Sequence, residues 1–269
     1  MSTGTKPRSI HDLKAFKRRG ERFVMLTAYD ATSAAILDEA GVPILLVGDS
    51  LGMVMLGYDS TVPVTMDEII HHTRAVRRGA PNALVVADMP FGSFQIDLSS
   101  AKANAVRILK ETGASAVKIE GGTRVTDLVA DLVAMGIPVM GHLGLTPQSV
   151  NQFGGFKVQG RSQEDAARIV ADTQALEAAG AFAVVLECVP SEVGARATAA
   201  VATPPTGMGA GAGPDGQVLV LQDMLGMTAG PLPRFVKAYA DGRSMMRDAV
   251  KAFQAEVGSG EYPGPEHQY

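Results

Sequence analysis

Apolar and polar positions along this chain fall into a unit that recurs. A helical pattern ends in a glycine, a short run of Val, Ile and Leu follows, and the run stops at a polar or charged side chain. Glu39–Asp49 (EAGVPILLVGD), Glu111–Glu120 (ETGASAVKIE), Ala134–His142 (AMGIPVMGH) and Glu177–Glu187 (EAAGAFAVVLE) are four copies. A glycine after a helix suits a left-handed C-cap, and so short an apolar run reads as a strand buried on both faces. The pattern predicts strands at Phe23–Ala28, Ile44–Gly48, Leu84–Asp88, Ala116–Glu120, Pro138–His142, Ala183–Glu187, Thr206–Gly209 and Val218–Leu221. Helix starts fall between them: Thr65 with Glu68 has capping-box spacing, Ser162 precedes Asp165, and Ser191 can cap a further helix. Eight buried strands alternating with helices predict an α/β fold, a (β/α)8 TIM barrel forming a single domain over residues 1–269 with an N-terminal helical extension. A doubly wound open sheet fits the same alternation, since the pattern does not show closure. The seventh strand is the least regular, because Pro204-Pro205 at its start removes ladder donors.

Composition narrows the picture. The chain has 269 residues, 46% of them hydrophobic, and 24 basic against 28 acidic side chains give a formal charge of −4. That balance leaves no basic footprint for nucleic acid. The one cysteine, Cys188, excludes an internal disulfide framework and a Cys-rich metal site, and fits a reducing compartment. The amino-terminal stretch lacks the apolar core of a secretory signal. Residues 132–156 are free of Asp, Glu, Lys and Arg, but Gly136, Pro138, Gly141, Gly144 and Pro147 break them up, so no membrane span is expected. These features predict a cytoplasmic protein. The glycine-rich stretch Gly207–Gln217 fits neither GxxxxGK[ST] nor GxGxxG before a helix, and reads as a close-packed barrel loop.

Candidate chemistry collects where the apolar runs stop, at Asp49, Asp88, Glu120, His142 and Glu187. In a parallel barrel all strand C-termini lie on one face, so these residues would converge on one mouth. Four carboxylates around one pocket raise one another's pKa values unless a cation is present, and oxygen ligands favour Mg²⁺ or Mn²⁺. The competing reading is that the acids solvate the rim or cap helices. Lys118, two residues before Glu120, points to the same side, as a structural counter-ion or as a partner for a substrate carboxylate. Ser50 could donate to the same anion or cap its turn. His142 is expected behind the site, as a hydrogen-bonded support. His71 and His72, near Arg74, Arg77 and Arg78, read as a solvated helix face. Cys188 reads as a small buried hydrophobe turned away from Glu187.

Nine runs in order carry a resemblance: LTAYDATSA (Leu26–Ala34), VGDSLGMV (Val47–Val54), GYDSTVPVT (Gly57–Thr65), ADMPFGS (Ala87–Ser93), VKIEGG (Val117–Gly122), PVMGHLGLTPQ (Pro138–Gln148), GGFKVQG (Gly154–Gly160), VLECVP (Val185–Pro190) and GAGPDGQVLV (Gly211–Val220). Together they resemble the ketopantoate hydroxymethyltransferase family over nearly the whole chain. Ile119 stands where the family usually has Leu, Phe156 where Tyr is common, and Pro204-Pro205 is unusual. The resemblance implies a (β/α)8 barrel, Mg²⁺ dependence, and transfer of a hydroxymethyl group from 5,10-methylenetetrahydrofolate to 3-methyl-2-oxobutanoate. The product would be 2-dehydropantoate, the first committed step towards pantothenate and coenzyme A. It also implies a ring-like homodecamer. Carried over by position, Asp49, Asp88 and Glu120 match the metal-site acids. Asp49, Ser50, Asp88 and Lys118 match the substrate-binding positions, and Glu187 matches the proposed general base acting on a Mg-stabilised enolate. Two other readings share parts of this pattern: a phosphoenolpyruvate mutase or isocitrate lyase type of barrel, whose lyase members carry a KKCGH loop not found here, and a non-enzymatic barrel, in which the strand-end acids would have degraded.

Overall fold

Eight parallel strands close on themselves in a computed structural model of the chain, which describes residues 8–269. They are β1 (Phe23–Thr27), β2 (Ile44–Val47), β3 (Leu84–Asp88), β4 (Ala116–Glu120), β5 (Val139–Gly144), β6 (Ala183–Glu187), β7 (Pro205–Met208) and β8 (Gly216–Leu219). Each pairs with the next, and β8 pairs with β1 through Met25 opposite Val218. That pairing decides for the barrel over the open sheet. All eight expected strands are present, their ends moved by a residue or two. Pro205 is tolerated because it is the first residue of β7, where it stands opposite Val184. Residues 1–7, part of the stretch read for a targeting signal, lie outside the described residues.

The chain divides into two compact units, one ending at Val220 and the other running Leu221–Tyr269. In the first unit the strands alternate with α1 (Ile10–Arg19), α2 (Ala31–Glu39), α3 (Leu51–Val54), α4 (Met66–Gly79), α5 (Leu98–Thr112), α6 (Thr126–Ala134), α7 (Val150–Phe153), α8 (Gln163–Ala178) and α9 (Ser191–Ala199). The second holds α10 (Leu221–Met224) and α11 (Gly242–Ser259). No helix among the described residues is long and apolar enough to cross a membrane.

Local chemistry sets these boundaries. Thr65 and Glu68 form the expected capping box on α4, and Ser162 accepts from Asp165 N at the start of α8. Ser191 does not cap α9. Pro190 occupies that position, its carbonyl accepting from Val193 N at 3.0 Å, and Ser191 is already inside the helix. Gly41, Gly113, Gly136 and Gly180, the glycines of the repeated unit, all have positive φ, between 74° and 96°. The glycine-rich loop packs against α9: a Cβ on Gly213 would lie 2.7 Å from Ala195 Cα, and one on Gly194 would lie 2.3 Å from Ala210 O.

The barrel interior follows from the period of two along each strand. Phe23, Met25, Ile44, Leu46, Leu84, Val86, Ala116, Met140, Ala183, Val185 and Val218 form one buried cluster. Leu13 of α1 joins the same cluster, and Ile10 and Phe16 pack against it. Lys17 fixes α1 in place, donating to Thr198 O at 2.9 Å and Asp215 Oδ2 at 3.0 Å. Continuing the inward-facing positions of β3, β4, β5 and β6 by one or two steps leads to Asp88, Lys118, Glu120, His142 and Glu187. The alternation that builds the core therefore also aims these side chains at a common point.

Candidate active site

Strand register sets the first contacts. Asp88 lies opposite Lys118, and Glu120 opposite His142. Lys118 Nζ pairs with Asp88 Oδ1 at 3.0 Å and contacts His142 Nδ1 at 3.1 Å. An ammonium only donates, so Nδ1 accepts, and the neutral imidazole carries its proton on Nε2. That nitrogen faces Glu187 Oε2 at 3.2 Å. Asp88 Oδ2 accepts from Asp49 N at 2.9 Å, which folds the chain after β2 over the end of β3. Gly48 permits this turn: a Cβ there would lie 3.0 Å from Ser50 Oγ and 3.4 Å from Asp88 Oδ2.

Asp49, Asp88, Lys118, Glu120, His142 and Glu187 are all more than nine-tenths buried. The structure thus brings together every strand-end residue singled out in the sequence. Ser50 sits beside them, half-buried, with its hydroxyl 2.8 Å from Tyr29 Oη. Sequence reasoning missed Gln148, on the turn after β5. Its Nε2 donates to Asp49 Oδ2 at 2.8 Å and Met89 O at 2.9 Å, its Oε1 accepts from Gln95 Nε2 at 2.9 Å, and its N donates to Glu120 Oε2 at 3.1 Å. It also missed buried Tyr29. The signal for Gln148 was its place on a strand C-terminal loop of the barrel, directly after the turn-forming Pro147. His72 is more than a solvated side chain, since its Nδ1 lies 2.6 Å from Tyr29 O and steadies the segment that carries Tyr29.

Burial dominates the electrostatics. Burial, then the charges of Asp88 and Glu120, hold the Asp49 carboxyl well above the usual carboxylate range. Glu120 is pushed up to about 8, chiefly by burial, with Lys118 opposing and Asp88 adding to the shift. Burial works against the Lys118 ammonium, but Asp88, Glu120 and Asp49 outweigh it and raise its pKa. Burial and Lys118 lower that of His142, which agrees with a neutral ring. Cys188 adopts φ 48° and is half-buried; burial and Glu187 push its thiol up to about 12, so it is no nucleophile.

Were Asp49, Asp88 and Glu120 all ionised, their three charges would exceed the single charge of Lys118. Glu120 Oε1 is buried with no hydrogen bond and stands 3.3 Å from the accepting Nδ1 of His142. An unpartnered carboxyl oxygen with two further acids nearby is oxygen-donor chemistry that a divalent cation would fit. Among the described residues no group of three or more acidic, His or Cys side chains stands close enough together to hold a metal ion as placed here. A cavity of about 470 Å³ opens onto Glu120 and Gln148 from the side of α5 and α6.

Residues 7–265 match the family described as ketopantoate hydroxymethyltransferase. A 3-methyl-2-oxobutanoate hydroxymethyltransferase of Syntrophus aciditrophicus is 55% identical over 271 residues, spanning 100% of both chains. One from Frankia alni is 57% identical, covering 97% of this chain and 86% of its own. Among solved structures, 2,3-dimethylmalate lyase, a PEP mutase/isocitrate lyase superfamily member, superposes with a TM-score of 0.60 at 17% identity, covering 96% of this chain and 92% of that one. Phosphonopyruvate hydrolase, solved with oxalate and Mg²⁺, gives a TM-score of 0.61 at 14% identity, covering 97% and 93%. At such identities these structures speak to the fold alone.

Proposed function

The chain belongs to the ketopantoate hydroxymethyltransferase family and is a transferase of that type, acting in pantothenate biosynthesis; from this premise we propose that it takes its one-carbon unit from 5,10-methylenetetrahydrofolate and adds it to C3 of 3-methyl-2-oxobutanoate through an enolate, giving 2-dehydropantoate. The observation that carries this reading is the buried relay Asp88–Lys118–His142–Glu187. Lys118 is ion-paired with Asp88 and donates one N–H to His142, which leaves N–H groups to hold the substrate carboxylate together with the Ser50 hydroxyl. Lys118 also fixes the His142 tautomer, which leaves a buried Nε2–H without a hydrogen bond 3.2 Å from Glu187 Oε2, in reach of that carboxylate once the site closes on substrate. Water adds to the methylene carbon and its two C–N bonds break, freeing tetrahydrofolate and a formaldehyde-level carbon; Glu187 takes the C3 proton, the resulting carbanion attacks that carbon, and its oxygen takes up a proton to become the hydroxymethyl group. Asp49, Asp88 and Glu120 would hold Mg²⁺, which when bound supplies Lewis-acid polarisation of the keto group. Gln148 ties Asp49 to Glu120 and keeps two of these acids in register. The reading includes a cytoplasmic homo-oligomer, a decamer. Exposed Met53, Met55 and Leu56 in the segment after β2 support association.

Proton exchange at C3 of 3-methyl-2-oxobutanoate in deuterated water tests substrate, metal and base without the folate. Exchange should require Mg²⁺ and stop on chelation. Absence of exchange with Mg²⁺ present would overturn the enolate reading.

A further inference from the structure

The oxo-acid site accounts for the buried relay but leaves two adjoining cavities unassigned. The first, about 470 Å³, opens onto Glu120 and Gln148; the second, about 430 Å³, adjoins it. Both fall within the roughly 300–1,000 Å³ typical of small-molecule sites. Gly121, Arg124 and Gln152 line both cavities, so the wall between them at Gly121 carries no side chain.

The two differ in character. The first has an apolar wall of Phe91, Phe94, Leu98 and Leu128. Phe91 and Leu98 stay half exposed there, which is costly for a surface with nothing to bind. Its acids are not equivalent. Asp97 is consumed as the cap of α5, accepting from Ser99 N and Ser100 N at 2.9 Å, whereas Asp127 has no ion pair or side-chain hydrogen bond among the described residues. The second cavity is basic on balance, with Arg124 and Arg168 against Asp172. Arg168 is held by Asp165 at 2.7 Å, and Asp172 is partly engaged by Thr123 N at 2.9 Å. Arg124 has no partner among the described residues.

A ligand suited to this pair has a flat, donor-rich ring at one end, carboxylates at the other and its reacting atom between them. We propose that the two cavities form the site of the reduced folate donor, an inference that rests on the proposed use of 5,10-methylenetetrahydrofolate. Its fused ring stacks in the first cavity with its amino edge towards Asp127. The methylene carbon, which bridges two nitrogens in the middle of the molecule, lies by Glu120 and Gly121 and so next to the oxo acid. The glutamate carboxylates reach Arg124 and Arg168.

The test is binding of tetrahydrofolate, and of tetrahydropteroate that lacks the glutamate, to full-length wild type, Arg124→Ala and Phe91→Ala in the presence of Mg²⁺ and 3-methyl-2-oxobutanoate. Both positions are at the surface of the first cavity, and C3 exchange, which needs no folate, reports that each variant is folded with its oxo-acid site formed. Arg124→Ala should weaken tetrahydrofolate about tenfold, the worth of one charge-assisted contact, and leave tetrahydropteroate at its wild-type affinity. Phe91→Ala should weaken both ligands alike, with KM for 5,10-methylenetetrahydrofolate rising in step. If both variants bind both ligands as wild type does, the site is elsewhere while the donor reading stands. If the wild type hydroxymethylates from free formaldehyde with no saturable dependence on the folate, the donor reading fails and the site falls with it.

Discussion

Lys118 is ion-paired with Asp88 and donates to His142, so its substitution does more than remove a substrate contact. Lys118→Ala should raise KM for the oxo acid and also free the His142 tautomer, lowering C3 exchange. Glu187→Gln isolates the base: oxo-acid binding should persist while C3 exchange falls by about 10²–10⁴, the usual worth of a general base. Normal exchange in that variant, with no product formed, would move the role of base to another group. A third expectation concerns pH. The Asp49 and Glu120 carboxyls sit above their ordinary values, Glu120 at about 8, so the folded protein without metal holds protons that the unfolded chain releases. Their stabilisation is complete below the unfolded carboxylate values and is lost as pH rises towards 8. The lowered His142 works the other way, but its effect is complete above 6.5, and the raised Lys118 is silent below its unfolded 10.5. Tm of metal-free protein should therefore fall between pH 6.5 and 8.5, and Mg²⁺ should flatten the fall. A Tm that rises over this range would mean that Glu120 is already ionised.

Strands and helices were legible because their signals are local. Short apolar runs located all eight strands, four of them marked also by a glycine past the preceding helix, and the residues ending them form most of the site. Closure was not legible, since β1 meets β8 only through contacts between distant segments. Gln148 and Tyr29 were missed for a related reason: nothing in a glutamine on a turn or a tyrosine past a strand states that it will reach Asp49 or Ser50. Ser191 shows the opposite error, a good capping residue displaced because Pro190 ends the extended segment one position earlier. Helix α11 lies outside the repeated unit from which the expectations were built. The glycines permit an element-scale test. Gly136 and Gly144 have similar φ, 85° and 89°, but a Cβ on Gly136 meets nothing within 4 Å, whereas one on Gly144 falls 2.1 Å from Glu187 O and 2.7 Å from Val189 Cγ1. Gly136→Ala should cost about 1 kcal/mol of backbone strain, and Gly144→Ala about 3 kcal/mol or more as β5 is forced off β6. Urea denaturation of the two variants separates the contributions. Equal stabilities would show that the end of β6 yields freely, and that Glu187 is not rigidly carried.

At the scale of the whole molecule, the proposed association has a second candidate surface. On α11, Met246, Val250, Phe253 and Val257 recur at helical spacing, and each is at least 50% exposed. Tyr262 touches Phe253, with ring centroids 5.2 Å apart, but leaves the stripe open. A continuous stripe of this kind marks an association surface, whereas a single exposed apolar side chain such as Ile36, 60% exposed, is ordinary. The proposed homo-oligomer gives the stripe a partner in a second copy of the chain. Phe253→Asp places a charge in its middle and should lower the mass measured by light scattering, while far-UV circular dichroism stays that of the folded protein. Ile36→Asp, on the outer face of α2, should leave the mass unchanged and so control for the added charge itself. If Phe253→Asp keeps the full mass, assembly rests on another surface, with the exposed segment Met53–Leu56 the next to test. A wild-type chain that stayed monomeric at micromolar concentration would mean instead that something other than a second copy covers the stripe.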